Sequence, residues 1–122
     1  MAKTEGRKSL IRLKIPSNYA ISGEVLERAR KEIQADAKET LRILSAVSHP
    51  IRLRILRALK VDELCVCVFV VMMKCKYSKL SYHLKLLKKA GLIESTKEKN
   101  FLIYRITDFG RQILKSVESK TR

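Results

Sequence analysis

The sequence has no apolar run near the ~20 residues that cross a bilayer, and Met1 to Lys8 is too polar for the hydrophobic region of a signal peptide. No membrane partner is expected, and the reading is of a cytoplasmic protein. Cysteine is scarce, with three residues and no even framework, which suits a reducing compartment where thiols serve metals, serve redox chemistry or fill a core. No glycine-rich phosphate loop or nucleophile elbow is present, nor paired carboxylates in a plausible cleft, so the chain is not expected to be an enzyme. There is no internal repeat and no linker that would split the chain. The largest shortfall is in acidic residues: 12 Asp and Glu stand against 27 Lys and Arg, a formal net charge of +15.

That imbalance requires an anionic partner. With 46% hydrophobic residues the chain is no disordered polycation, and a solvated charged surface explains a balanced Lys/Glu mixture better than this excess. Nucleic acid is favoured because the basic residues concentrate where a helix-turn-helix needs them, not on a lone amphipathic anchor. At 122 residues the chain is one domain, small enough that oligomerisation helps stabilise it, so a homodimer is expected.

Along the chain, Met1 to Lys8 reads as a mobile basic arm and Ser9 to Ile15 as a short extended segment ending at Pro16; residues 1–22 precede the main domain, 23–122. Ser22 is placed to cap a helix. Leu26, Ala29, Ile33, Ala37, Leu41 and Leu44 recur at helical spacing, predicting one long amphipathic helix from Glu24 to about Ala46 that serves dimerisation. Pro50 opens a helix to about Lys60, with Ile51, Ile55, Leu56 and Leu59 inward and Arg52, Arg54, Arg57 and Lys60 on its rim. His49, just before it, suits a cap or a hinge. Asp62 to about Met73 is nearly all apolar and fits a buried strand or a helix by periodicity; its place between two helices decides for helix.

Next comes a basic helix from about Lys76–Ser78 to Ala90, closed by Gly91, with Leu80, His83, Leu84 and Leu87 on the core face and Ser78, Tyr82, Lys85 and Lys89 opposite. Leu92–Thr96 and Phe101–Ile106 form a hairpin around Lys97-Glu98-Lys99-Asn100, with Asn100 the residue suited to positive φ. Thr107 caps a last helix whose Phe109, Ile113, Leu114 and Val117 can pair with the first. The expected fold is α+β and mostly helical, a winged helix-turn-helix with a two-stranded β-wing, dimerising through its first and last helices.

From about Leu41 to Ile106 the sequence resembles the ArsR/SmtB family of winged-helix metalloregulatory repressors. The resemblance is carried by His49-Pro50-Ile51-Arg52-Leu53-Arg54-Ile55-Leu56, Glu63-Leu64-Cys65-Val66-Cys67, Leu80-Ser81-Tyr82-His83-Leu84-Lys85-Leu86-Leu87, Ala90-Gly91-Leu92-Ile93 and Tyr104-Arg105, in collinear order. It implies a dimer that sits on operator double-stranded DNA and leaves when a thiophilic ion binds. Phosphate contacts are expected from Lys76, Lys79, Lys97 and Lys99, base-edge contacts from Ser78, Ser81 and Tyr82, and further contacts from Tyr77 and Lys85.

Cys65 and Cys67 are the expected metal ligands, with Cys75 a weaker candidate. Two thiolates suit As(III), Sb(III), Hg(II) or Cd(II) as effector, and no cofactor is required. Residues two apart on a regular helix point ~200° apart, so either the helix bends or the pair does not chelate. Val70 stands where the family's arsenite sensors often carry a third cysteine, Val68 replaces a usual acid, and the last helix has no histidine for the family's zinc site. Cys75, between Lys74 and Lys76, is the thiol marked as most reactive. The alternatives are a thiol-redox-responsive or effector-independent regulator, an architectural DNA-binding protein, and thiols that only pack the core. His83 reads as a satisfied core residue.

Overall fold

The computed structural model describes residues 16–121, in two compact units divided after Ala37. The arm and the extended segment expected before Pro16 lie outside the described residues.

The first unit contains α1 (Gly23–Gln34), started by Ser22, whose Oγ accepts from the backbone N of Val25 at 3.2 Å. The chain then turns extended at Ala35, with φ −63° and ψ 147°, so the single long helix expected over 24–46 is corrected to two. The apolar stripe runs on in phase, but Asp36 is a residue type whose short polar side chain favours helix starts over helix interiors.

The second unit begins with α2 (Lys38–Val47) and α3 (Pro50–Val61). His49 caps α3, its Nδ1 accepting from the N of Ile51 at 3.1 Å. Leu64–Cys65 is a short strand, β1, and α4 (Val66–Met73) follows it. The helix expected from Asp62 therefore starts four residues later, because β1 pairs with the wing. The turn to α5 (Tyr77–Lys89) passes through Lys74 in the left-handed region.

A Schellman closure ends α5: Gly91, at φ +75°, donates to Lys88 O and Leu92 N donates to Leu87 O. The chain continues into β2 (Ile93–Glu98), β3 (Phe101–Ile106) and α6 (Asp108–Thr121). Thr107 starts α6 as expected, its Oγ1 accepting from Gly110 N and donating to Gly91 O. The wing is a three-stranded antiparallel sheet in the order β1-β3-β2, not two-stranded. Its turn is only Lys99-Asn100, and the positive φ falls on Lys99, not Asn100.

The core of this unit joins Ile55, Leu56 and Leu59 of α3, Phe69 of α4, Leu80, Leu84 and Leu87 of α5, and Leu92, Ile93 and Leu114. No helix among the described residues is long and apolar enough to cross a membrane.

Candidate nucleic-acid interface and thiol pair

Helix α5 carries its chemistry on one side. Leu80, His83, Leu84 and Leu87 are buried, as their spacing predicts, which turns Ser78, Ser81, Tyr82 and Lys85 to solvent. Tyr82 is 59% exposed, and Tyr77, Lys76 and Lys79 are exposed at the start of the helix. No acidic residue lies in α5, and its N-cap, Lys76, makes no side-chain hydrogen bond to the first turn. The first N–H groups are thus left for an outside acceptor, at the positive end of the helix dipole.

The wing adds Lys97 and Lys99, both exposed. It is held to α5 by Lys88, whose Nζ donates to Ser95 Oγ at 2.8 Å, a positioning contact that sequence periodicity does not reveal. Tyr104 on the central wing strand is partly buried. Burial first, then the nearby Tyr77, holds its phenol above the ordinary tyrosine value.

Arg52 corrects another expectation. Placed on the rim by its charge, it is 8% exposed. Nε donates to Ala46 O at 2.7 Å, Nη2 to Ser45 O at 3.1 Å, and Nη1 lies 3.0 Å from Nδ1 of His83. The signal was in the spacing: Arg52, Ile55, Leu56 and Leu59 form one i, i+3, i+4, i+7 stripe. His83 is the satisfied core residue expected. Desolvation first, then His49, Arg52 and Lys79, lower its pKa below the ordinary histidine value.

The thiols resolve the geometric conflict. Cys65 is not helical: it ends β1 and caps α4 with extended backbone, φ −71° and ψ 148°. Its side chain therefore turns back over the first turn, where Sγ accepts from the N of Cys67 at 3.4 Å and lies 2.7 Å from Cys67 Sγ. Both cysteines are free thiols. The hydrogen bond to Cys65 first, then desolvation and the Cys65 charge, raises the Cys67 pKa above the ordinary thiol value. No cluster of three or more His, Cys, Asp or Glu side chains suited to a metal ion occurs among the described residues. Cys75 packs half-buried against the core, which weakens its candidacy as a reactive thiol.

β1 registers Leu64 with Tyr104 and Cys65 with Ile103, so the thiol pair sits one strand from the wing hairpin. A basic helix face with an open first turn, backed by a core and flanked by a hairpin, is the architecture of a winged helix-turn-helix DNA-binding domain.

Known proteins share it. Residues 49–95 match the family model for "Bacterial regulatory protein, arsR family". An uncharacterized HTH-type transcriptional regulator of Methanocaldococcus jannaschii is 36% identical over 78 residues, covering 62% of this chain and 88% of that protein. A Staphylococcus aureus homolog of the cadmium resistance transcriptional regulatory protein CadC is 28% identical over 90 residues, 72% of this chain and 74% of that one. Among solved structures, a homodimeric winged helix-turn-helix DNA-binding domain from Mycobacterium bovis superposes with a TM-score of 0.65 at 26% identity, covering 72% of this chain and 87% of that one. The chain belongs to the ArsR family of transcriptional regulators, which are DNA-binding proteins and not enzymes.

Proposed function

We propose that this regulator represses by holding operator DNA as a homodimer and that a soft metal or metalloid ion held by Cys65 and Cys67 releases it. The observation that carries the sensing half is the convergence of the two sulfurs, 2.7 Å apart, at the end of a strand paired with the wing. The two thiols fit a soft ion such as As(III), Sb(III), Hg(II) or Cd(II), and such an ion supplies charge and thiolate affinity there. Chelation parts the two sulfurs. Cys65 is itself part of β1, and β1 pairs with β3, so a backbone shift at Cys65 on chelation reaches the wing directly. The cadmium-resistance relative supports the same class of effector.

On the DNA side, Lys76, Lys79, Lys97 and Lys99 bind phosphates, Ser78, Ser81 and Tyr82 read base edges, and Tyr77 and Lys85 add contacts. Residues 23–122 act as the winged helix-turn-helix domain, with residues 1–22 as its arm. Exposed apolar side chains on α2 (Leu41, Leu44) and α6 (Phe109, Val117) support dimerisation through the first and last helical regions, and the Mycobacterium bovis domain is itself homodimeric. A monomer in sedimentation at micromolar concentration would contradict that assembly.

The test of sensing is DNA release by arsenite, antimonite, mercuric and cadmium ions, comparing the native protein with Cys65→Ser/Cys67→Ser. Release by at least one ion, abolished in the double variant, is expected. With two thiols and Val70 in the third position, mercuric ion should act at least as well as arsenite. Identical behaviour of the two proteins with every ion would refute the sensor role.

A further inference from the structure

Arg52 is a buried cation that pairs with no carboxylate among the described residues. Its guanidinium gives one donor to each of Ala46 O and Ser45 O, in the last turn of α2, and a third to Nδ1 of His83, on the inner face of α5. No basic residue of α2 itself serves that last turn. One side chain from α3 therefore ties the end of α2 to the recognition helix. Because arginine has no acceptor, Nδ1 of His83 must be unprotonated, and the ring proton sits on Nε2. The His49 ring packs on His83 with centroids 4.5 Å apart, and its own Nδ1 is occupied by the N of Ile51.

Positive charge surrounds His83 from several directions. Arg52 brings it from α3 and Lys79 from the same helix, while the His49 ring packs on His83 and the Tyr82 ring lies 5.3 Å away between centroids. Arg42 of α2 and Lys89 of α5 line a small cavity beside Arg52. Helix α4 brings no Lys, Arg, His, Asp or Glu, only the thiol of Cys67, and no carboxylate is among the groups that shift His83. A proton arriving at Nδ1 from solvent would point N–H at N–H and add a second cation beside the guanidinium, with no carboxylate of the described residues among the groups acting on it.

We propose that Arg52, His49 and His83 form a proton-operated latch on the recognition helix, so that a proton taken up at Nδ1 of His83 breaks the Arg52 contact and weakens DNA binding. Arg52 is a positioning residue: it touches no DNA and acts through His83 and the α2 carbonyls. The latch rests on the DNA-reading role of α5, yet it predicts a sign that simple electrostatics does not. A histidine gaining charge near phosphates strengthens DNA binding, whereas release of the latch weakens it.

The experiment measures binding of the full chain to a duplex selected from a random pool, at constant salt, from about pH 7.5 to about pH 5.5, where a histidine changes charge. For a His83 pKa about one unit lower in DNA-bound than in free protein, affinity should fall progressively on acidification, by up to about tenfold once the pH is below both values. His83→Asn keeps an acceptor oxygen near the position of Nδ1 but cannot titrate; it should bind at the higher pH and lose the acid sensitivity. In the native protein without DNA, NMR should show the backbone signals of Ser45 and Ala46 moving with the His83 titration, a readout that needs no variant to fold.

Affinity that holds or rises on acidification, an equal fall in His83→Asn, or a His83 titration that leaves Ser45 and Ala46 unmoved would each overturn the latch. A folded protein that binds no duplex at either pH would overturn the DNA-reading role itself. The NMR titration would then still decide whether the three residues are coupled.

Discussion

Glu63 and Arg105 are joined across the β1–β3 pair, with Arg105 Nη2 and Nε at 3.1 and 3.2 Å from the same carboxylate oxygen, Glu63 Oε2. Arg105 also donates to Thr96 Oγ1 on β2 at 3.3 Å, so one guanidinium of β3 bonds both β2 and the residue that leads into β1. Both partners are partly exposed, which limits the pair to at most about 1 kcal/mol of stability. Glu63→Ala should therefore leave global stability within about 1 kcal/mol. Hydrogen exchange at Ile103 and Tyr104 should quicken all the same, because β1 loses its side-chain clamp on the wing. Unchanged exchange there would show that the backbone pairing alone holds β1.

The thiols carry their own pH signature. Cys67 is held protonated above the ordinary thiol range chiefly by its hydrogen bond to Cys65, and the like charge of Cys65 acts in the same direction. Cys65→Ala removes both, so the Cys67 thiolate fraction at mildly alkaline pH should rise and its alkylation should speed several-fold. Ion uptake at the intact pair should release protons, since a ligating thiol must be deprotonated. Slower alkylation of Cys67 in the variant would contradict this sign.

Gly110 lies where α6 crosses the α5–β2 junction. A Cβ there would stand 2.2 Å from Leu92 O and 2.8 Å from Ile106 Cγ1, and the first of these is backbone that cannot swing aside. Gly110→Ala should lower stability by about 1–3 kcal/mol or more, read as a shifted urea midpoint with little change in slope. Native-like stability would mean that α6 can shift off Leu92 at little cost.

The proposed roles of Tyr82 in base reading and of Lys97 in phosphate binding can be told apart by substitution. Tyr82→Ala should weaken binding to a selected duplex more than to scrambled DNA. Lys97→Ala should weaken both alike and reduce the salt slope by about one ion. Equal losses on both DNAs for Tyr82→Ala would remove it from base readout.

Acidification should also cost stability through His83. Its folded pKa is lowered below the ordinary 6.5, so the unfolded chain binds more protons between the two values. Stability present above about pH 6.5 is lost as the pH falls through the folded value. His83→Asn should flatten that part of the stability profile; an unchanged profile would assign the loss to other groups.

Local pattern was enough for the reading head. The spacing of Leu80, His83, Leu84 and Leu87 sets which side of α5 is buried, and therefore which side offers Ser78, Ser81, Tyr82 and Lys85. Gly91, Thr107, Pro50 and Ser22 mark helix ends because each does so through a bond or dihedral of its own neighbourhood. The break at Ala35–Ala37 was hidden because the apolar stripe continues in phase across it. β1 was hidden because a two-residue strand has no period, and only its pairing with Ile103 and Tyr104 makes it a strand.

By itself the sequence determined the charge, the helices and hairpin from Pro50 onward apart from β1, and the solvent face of the recognition helix, all of which follow from composition and local periodicity. Tertiary structure alone decided that Arg52 is buried and that Cys65 meets Cys67. The guanidinium can be buried because Ser45, Ala46 and His83 converge from two other helices to accept its hydrogen bonds. The thiols converge because a strand 38 residues away in register, Ile103 against Cys65, holds Cys65 extended where a helix would have turned its sulfur away.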